Sequence, residues 1–172
     1  SVTERKNPKI IIESLETIDG NVSLEIIGQT PNLKYLKELN NLISSSKHAE
    51  NITMTPFIKA EELISKYSSA NLFILPSKSE GLGRVIIEAQ STACPVLVSS
   101  NTGMVDLIIE NETGYIFENN NKNDLSNKIQ HIMNNYESAL QTGLNSKDFV
   151  KENQSVANFE FGYKKLIDLV ST

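Results

Sequence analysis

The residues whose types and spacing could do chemistry lie in one segment, residues 75–90, which reads LPSKSEGLGRVIIEAQ. An apolar run typical of a buried strand ends at Leu75, and a helical pattern begins after Gly83. Glycines let the backbone approach a ligand closely, and the N–H groups that begin a helix attract phosphate. The carboxylates Glu80 and Glu88 bracket the turn, and carboxylates accept hydrogen bonds from vicinal hydroxyls such as those of ribose. The segment therefore predicts a site for a ligand that joins a sugar, a diphosphate and a ribose.

The same segment is also compatible with an ordinary structural turn. Glu80 would then be an exposed loop residue next to a capping glycine, and Glu88 would face solvent. Against this, Glu88 follows the apolar run 85–87, and a buried carboxylate is costly unless it is paired or bound to a ligand. Two carboxylates would also suit glycoside hydrolysis, but the glycine-rich helix start between them fits a phosphate better. A hydrolase is therefore the less favoured hypothesis.

The elements that must position this turn alternate between two hydrophobic periods. Short apolar runs bounded by Gly, Pro, Asn or Ser predict strands at 22–27, 51–57, 71–75, 95–98 and 114–117. Patterns with helical spacing predict helices at 8–18, 31–43, 60–68, 83–92, 122–135, 137–151 and 155–170. This alternation predicts an α/β fold, a Rossmann-like parallel sheet with helices on both faces. In such sheets ligands bind at the carboxyl ends of the strands.

Length and composition restrict the possible classes. The 172 residues predict a single domain, 1–172, and the net charge of -5 argues against a nucleic-acid partner. The lone Cys94 excludes an intrachain disulfide framework, and we expect it to be a small buried group. His48 and His131 lie far apart in polar segments, where we expect surface histidines, so the sequence predicts no metal site. No apolar run approaches the roughly 18 residues of a membrane span.

Four segments together resemble one known family. LPSKSEGLGRVIIEAQSTACPVLVS resembles the pattern PSxxEGFGxxxxEAxAxGxPVI, in which seven residues separate two glutamates, here Glu80 and Glu88. SSNTGMVDLIIENETGYIF resembles a later pattern, xxxGGxxExxxxGxTGxLx. LEIIGQTPNLKYLKEL resembles a strand followed by Gly-x-Gly-Pro, and the turn at 5–8 resembles a Lys-Gly turn after a first strand. The chain thus resembles, over nearly its whole length and in order, the retaining glycosyltransferases called group 1.

The resemblance implies a fold and a set of roles. The chain would be the carboxyl-terminal, donor-binding lobe of a two-lobe GT-B enzyme, whose amino-terminal lobe would be its partner. The implied catalytic residues are Glu80, on hydroxyls of the transferred sugar, and Lys6, on the diphosphate leaving group. The turn around Pro56 would receive the base, and Glu88 would hold the ribose. The implied donor-binding residues are Gly28, Phe57, Ile58, Gly81, Leu82, Gly83, Arg84, Val85 and Glu88, with the backbone N–H groups of residues 82–84 on the sugar and diphosphate.

The resemblance also implies an activity. A UDP-, GDP- or ADP-linked sugar would be the substrate, no metal or other cofactor would be needed, and transfer would retain the anomeric configuration. The acceptor would be a saccharide, a lipid-linked saccharide or a protein, as in polysaccharide biosynthesis. The expected location is cytoplasmic, at the inner face of the membrane if the second lobe binds there. An inactive sugar-nucleotide-binding or scaffolding subunit and a GT-B sugar-nucleotide epimerase are the alternatives.

Some positions depart from the family pattern. The arginine that the family carries five residues before the lysine falls on Ser1, so the second diphosphate cation is absent or lies outside this numbering. Arg84 is one candidate to replace it, although a solvated arginine on a helix is the more ordinary interpretation. Thr30 stands where the family often has a second glycine. Only residues 1–3 remain of a strand expected before the first helix, which predicts an open or borrowed position beside the strand 71–75.

Overall fold

The computed structural model of the chain describes residues 1–153. All five predicted strands are present: β1 (Leu24–Ile27), β2 (Ile52–Thr55), β3 (Phe73–Leu75), β4 (Val96–Ser99) and β5 (Tyr115–Phe117). Six predicted helices are present as well: α1 (Pro8–Leu15), α2 (Leu33–Ser45), α3 (Ala60–Ser69), α4 (Val85–Ser91), α5 (Lys122–Asn134) and α6 (Tyr136–Asn153). The helix predicted over 155–170 lies outside the described residues. Alternation of strand and helix therefore confirms the predicted α/β class.

The strands pair in parallel but form two sheets rather than the single sheet that was predicted. One sheet has the order β1-β2 and the other the order β3-β4-β5. The backbone N–H of Val2 donates to the carbonyl of Gln29 at 2.7 Å, so the first residues run beside the end of β1. Among the described strands β3 pairs with β4 alone, so its other edge has no partner there. That edge is the open position that the sequence predicted beside residues 71–75.

Two apolar clusters hold the helices against the strands. The first joins α1, α2 and α5 to both sheets, with Ile12, Leu39 and Leu125 fully buried. The second joins α3 and α4 to the three-stranded sheet, with Ile86 fully buried. Because successive side chains of a strand point to opposite faces, β4 serves both clusters, with Leu97 in the first and its two neighbouring valines in the second. The three-stranded sheet is thus the layer between two cores.

The lone cysteine and the two histidines were the candidates for redox or metal chemistry, and the structure shows how each of them is buried or exposed. Cys94 is buried in the second cluster, as predicted, and burial raises the pKa of its thiol to about 11. His131 is exposed, as predicted. His48 is instead half-buried, and a ring nitrogen lies 3.1 Å from the carbonyl oxygen of Leu15. Within residues 1–153, no helix is both long and apolar enough to cross a membrane.

Candidate functional site

A partly buried carboxylate lies between two turns at the carboxyl ends of the strands. Glu80 belongs to the loop after β3, and its side chain is 12% exposed. Its Oε2 atom forms a hydrogen-bonded ion pair with the ammonium of Lys6, which precedes α1. The same oxygen lies 3.5 Å from Nη1 of Arg5 and accepts a hydrogen bond of 3.4 Å from the Ser77 hydroxyl. The structure therefore brings the two predicted catalytic residues into direct contact.

The charge state of Glu80 follows from these partners. Burial acts to raise the pKa of the Glu80 carboxyl, but the hydrogen bond from Lys6 and the charges of Lys6 and Arg5 outweigh it. The net pKa lies below the ordinary value, so the carboxylate is ionised at neutral pH. One negative charge thus stands between two positive charges. The local excess of positive charge suits an anionic ligand.

The turn that carries Lys6 has a backbone reason for its sequence. Asn7 lies in the left-handed region, with φ 52° and ψ 43°, where glycine and asparagine are the residues that are best tolerated. This conformation explains why asparagine can stand where the resembling family has glycine. Pro8 follows at the first position of α1, where its missing N–H costs no helical hydrogen bond. The Lys6 side chain is therefore presented from a sharply defined turn.

A second loop, after β4, supports the turn around Glu80. The backbone N–H of Gly103 donates to the carbonyl of Glu80 at 2.6 Å, and the N–H of Glu80 donates to the carbonyl of Asn101 at 3.3 Å. A Cβ atom on Gly103 would lie 1.9 Å from the carbonyl oxygen of Gly81, which is backbone and cannot swing away. Only glycine therefore fits at position 103. Neither Asn101 nor Gly103 was singled out from the sequence as a support of the site.

The start of α4 offers hydrogen-bond donors. α4 begins at Val85, and within the described residues the backbone N–H groups of Leu82, Gly83 and Arg84 donate no hydrogen bond. A Cβ atom on Gly81 would meet nothing within 4 Å, so open space borders the turn there. Gly83 has φ +45° and is buried, and a Cβ atom on it would lie 3.2 Å from Ile86 and from Thr102. These N–H groups have no partner among the described residues, α4 itself has only seven residues, and their contact with a diphosphate stays a prediction.

Glu88 lies in a different environment from Glu80. It is exposed on α4, so the hypothesis of a buried carboxylate is wrong and the solvent-facing alternative is correct. Its charge acts with burial, the larger cause, to raise the pKa of the Tyr67 hydroxyl. No contact joins Glu88 to Lys6 or Glu80 within residues 1–153. A role for Glu88 on a ribose stays a prediction.

An apolar pocket lies at the carboxyl ends of the two-stranded sheet, after β1 and β2. Its volume is about 260 Å³, and its lining comprises Ser1, Ile27, Gly28, Gln29, Pro56, Phe57, Ile58 and Leu63. The structure thus places Phe57 and Ile58 in one pocket, and it adds Gly28, for which the resemblance implied a place near the diphosphate rather than the base. Leu63 was not predicted, although it lies one turn inside a helix that follows this loop directly. Phe57 is 72% exposed, so its ring is accessible to a ligand.

Fold and site together define a class. An α/β domain with a charged turn and an apolar pocket, both at the carboxyl ends of parallel strands, has the architecture of one lobe of a GT-B protein. A family model described as "Glycosyl transferases group 1" matches residues 1–149. The chain therefore belongs to the group 1 glycosyltransferases.

Sequence relatives carry matching names. An uncharacterized glycosyltransferase of Methanocaldococcus jannaschii is 31% identical over 150 residues, which are 86% of this chain and 40% of that protein. The capsular polysaccharide biosynthesis glycosyltransferase CapM of Staphylococcus aureus is 32% identical over 117 residues, 66% of this chain and 29% of that protein. The chain thus spans less than half the length of either relative.

Solved structures share the fold. The sucrose-phosphate synthase of Thermosynechococcus elongatus superposes with a TM-score of 0.84 at 24% identity, over 99% of this chain and 44% of that one. Anabaena HepE in complex with UDP-glucose superposes with a TM-score of 0.87 at 19% identity, over 99% of this chain and 47% of that one. The carboxyl-terminal domain of a group 1 glycosyl transferase from Francisella tularensis superposes with a TM-score of 0.82 at 21% identity, over 90% of this chain and 83% of that one. The last match is consistent with a carboxyl-terminal lobe.

Proposed function

We propose that this chain is the donor-binding lobe of a glycosyltransferase, and that it binds a nucleoside-diphosphate sugar for metal-independent, retaining transfer. The acceptor is a saccharide, a lipid-linked saccharide or a protein. The observation that carries the proposal is the contact between Lys6 and Glu80, held beside three backbone N–H groups that have no partner among the described residues. Cations and oriented donors around one position are what a diphosphate leaving group requires.

The residues have distinct tasks in this reaction. Breaking the anomeric C–O bond builds positive charge on the sugar and negative charge on the diphosphate. Lys6 and the N–H groups of residues 82–84 stabilise the negative charge where it develops. Glu80, 12% exposed and ionised, accepts hydrogen bonds from the sugar hydroxyls and orients the ring. Because Glu80 also holds the Lys6 ammonium, sugar and diphosphate are positioned by one connected group of side chains.

The nucleoside end of the donor lies in the apolar pocket. The exposed ring of Phe57 offers a stacking surface for a base, and Gly28 leaves the pocket floor without a side chain. Glu88 accepts the ribose hydroxyls from its exposed position on α4. The structure of Anabaena HepE with UDP-glucose supports a nucleotide sugar as the ligand of this fold. UDP-, GDP- and ADP-linked sugars are the candidates to be tested.

The first experiment measures binding. Calorimetry of the chain with UDP, GDP and ADP and with their glucose conjugates, in the presence and absence of EDTA, is expected to find one base that binds. Affinity near millimolar is expected for a single lobe, which corresponds to about -4 kcal/mol. Failure of every nucleotide to bind would refute the donor-binding proposal. Loss of binding with EDTA would refute its metal independence.

A second experiment separates the two acids. Glu88→Ala should weaken the nucleoside diphosphate and its sugar conjugate equally, about tenfold, because both ligands carry the ribose. Glu80→Ala should weaken the sugar conjugate and leave the free diphosphate nearly unchanged, since only the conjugate carries the sugar hydroxyls that Glu80 accepts from. Glu112→Ala, which removes an exposed acid, is the matched control. Equal effects of Glu80→Ala and Glu88→Ala on both ligands would contradict the assignment of roles.

A further inference from the structure

The site contains a cation that the family pattern does not assign. We propose that Arg5 is the second diphosphate-binding cation, beside Lys6; this rests on the proposed function. The chain has 16 lysines and arginines, and only Arg5 and Arg84 are arginines. Both lie in the two turns that border Glu80. Arginine differs from lysine because its planar guanidinium can donate two parallel hydrogen bonds to one phosphate.

The geometry brings Arg5 to the diphosphate position. Its Nη1 atom lies 3.5 Å from Oε2 of Glu80, the same oxygen that Lys6 contacts. Nη1 also donates to the carbonyl of Ser79 at 2.8 Å. The side chain is 53% exposed, and a guanidinium carries five N–H donors, so several of them remain accessible to a ligand. The loop after β3 therefore orients the Arg5 guanidinium and leaves some of its N–H donors available for a ligand.

The backbone of Arg5 is fixed as well. Its carbonyl accepts a hydrogen bond of 2.8 Å from the N–H of Lys78. The carbonyl of Lys78 in turn accepts from the side-chain amides of Asn101 and Asn119, each at 3.3 Å. The hydroxyl of Ser99 donates to Asn119 at 3.0 Å. These bonds connect the Arg5 turn to the carboxyl ends of all three strands of the three-stranded sheet, so the backbone that carries the guanidinium is fixed.

The other candidates fit less well. Ser1, at the family's arginine position, lies against Gly28 and lines the apolar pocket without a charge. Arg84 is exposed, and its side chain makes no hydrogen bond or ion pair within residues 1–153. Glu80 is assigned to the sugar, and the sugar is attached to the second phosphate of the donor. A cation beside Glu80 therefore contacts that second phosphate, which a nucleoside monophosphate lacks.

The test uses three ligands of the base that binds best: the nucleoside, its monophosphate and its diphosphate. Arg5→Gln should weaken the diphosphate about tenfold and leave the nucleoside and monophosphate within about twofold. Arg5→Lys keeps the charge but loses the planar fork, so it should weaken the diphosphate by less than Arg5→Gln. Lys37→Gln removes an exposed charge on α2 and should change none of the three affinities. Thermal unfolding of each variant identifies any loss of the fold.

Each other outcome has a defined meaning. An equal loss for monophosphate and diphosphate, or no loss in a folded Arg5→Gln variant, would overturn the assignment of Arg5. A selective loss of diphosphate affinity in Arg84→Gln instead of Arg5→Gln would give the second cation to Arg84. If Arg5→Gln does not fold, Arg5→Lys with affinity equal to that of the unchanged chain for all three ligands would overturn the need for a guanidinium. Absence of any nucleotide binding by the unchanged chain would refute the proposed function itself.

Discussion

The charged turn and the apolar pocket lie at the carboxyl ends of different sheets and are built in different ways. The charged turn, residues 77–83 with 5–7 and 101–103, is tied together by ion pairs and backbone hydrogen bonds. The apolar pocket is formed by side chains such as Phe57 that remain largely exposed. The supporting strands differ less clearly: β4 is buried throughout, whereas β3, which leads into the Glu80 turn, is partly exposed, as β1 and β2 are. Under the proposed function, this difference predicts that the charged turn fixes the position of the donor and that the pocket adds affinity with less directional control.

Because the two regions are built differently, we expect substitutions in the charged turn and substitutions in the apolar pocket to affect different ligands. Changes in the charged turn should affect reaction and diphosphate binding, because electrostatic stabilisation depends on fixed positions. Changes in the pocket should affect every ligand that carries the base by a similar factor. Four predictions test this division, from the largest expected effect to the smallest.

Gly103→Ala should be the most damaging change. Its Cβ atom would lie 1.9 Å from the Gly81 carbonyl oxygen, so the loop after β4 must separate from the Glu80 turn. We expect a loss of about 3 kcal/mol in the free energy of unfolding and no measurable diphosphate affinity. Urea denaturation and calorimetry measure the two quantities. Gly81→Ala, with nothing near its Cβ position, is the control for stability and should unfold at nearly the original midpoint.

Lys6→Gln should have the next largest effect, on the rate of sugar transfer. Its ammonium contacts Glu80. Because the proposed function places this ammonium on the developing charge of the leaving group, the rate should fall about 100- to 1000-fold in the two-lobe protein. Steady-state kinetics give this value. Lys9→Gln, three residues on, breaks only an ion pair with Glu38 at the surface and should leave the rate unchanged. A rate loss below about threefold in Lys6→Gln would remove Lys6 from the catalytic residues.

Phe57→Ala should have a smaller and uniform effect. Loss of a stacking ring is expected to weaken the nucleoside, the diphosphate and the sugar conjugate each about tenfold. Calorimetry with the three ligands tests this uniformity. Ile64→Ala removes another exposed apolar side chain, on α3 and outside the pocket lining, and should change none of them. A loss confined to the diphosphate ligands would contradict the division between the two regions.

The smallest expected effect is a pH dependence of stability that comes from Glu80. Because the folded protein lowers the pKa of this carboxyl below the ordinary 4.5, folding favours its ionised form. The stability gained is present above the ordinary pKa and is lost as the pH falls through the lowered one. Denaturation between about pH 6 and about pH 3 should show the stability difference between the unchanged chain and Glu80→Gln decreasing toward low pH. The corresponding difference for Phe57→Ala should show no such decrease.

Several features of the site could be predicted from the sequence because they are local. The glycine-rich turn follows a buried strand and precedes a helix, and Gly83 does adopt a positive φ there. Phe57 ends the predicted strand 51–57 and Ile58 follows it, so their place near the carboxyl edge of the sheet was predictable, although the observed strand β2 already ends at Thr55. Glu88 was not decided by its apolar neighbours, because α4 is short and leaves one side exposed.

What the sequence by itself determined is the order of strands and helices and the identity of the turns that end them, because hydrophobic period and turn chemistry act over a few residues. Tertiary structure alone decided which turns meet. Lys6 and Glu80 are 74 residues apart, and only the arrangement of the parallel strands brings them into contact. The place of Arg5 beside the same carboxylate, the close approach of Gly103 to Gly81 and the division into two sheets have the same cause. Each depends on packing between distant segments, which local periodicity does not encode.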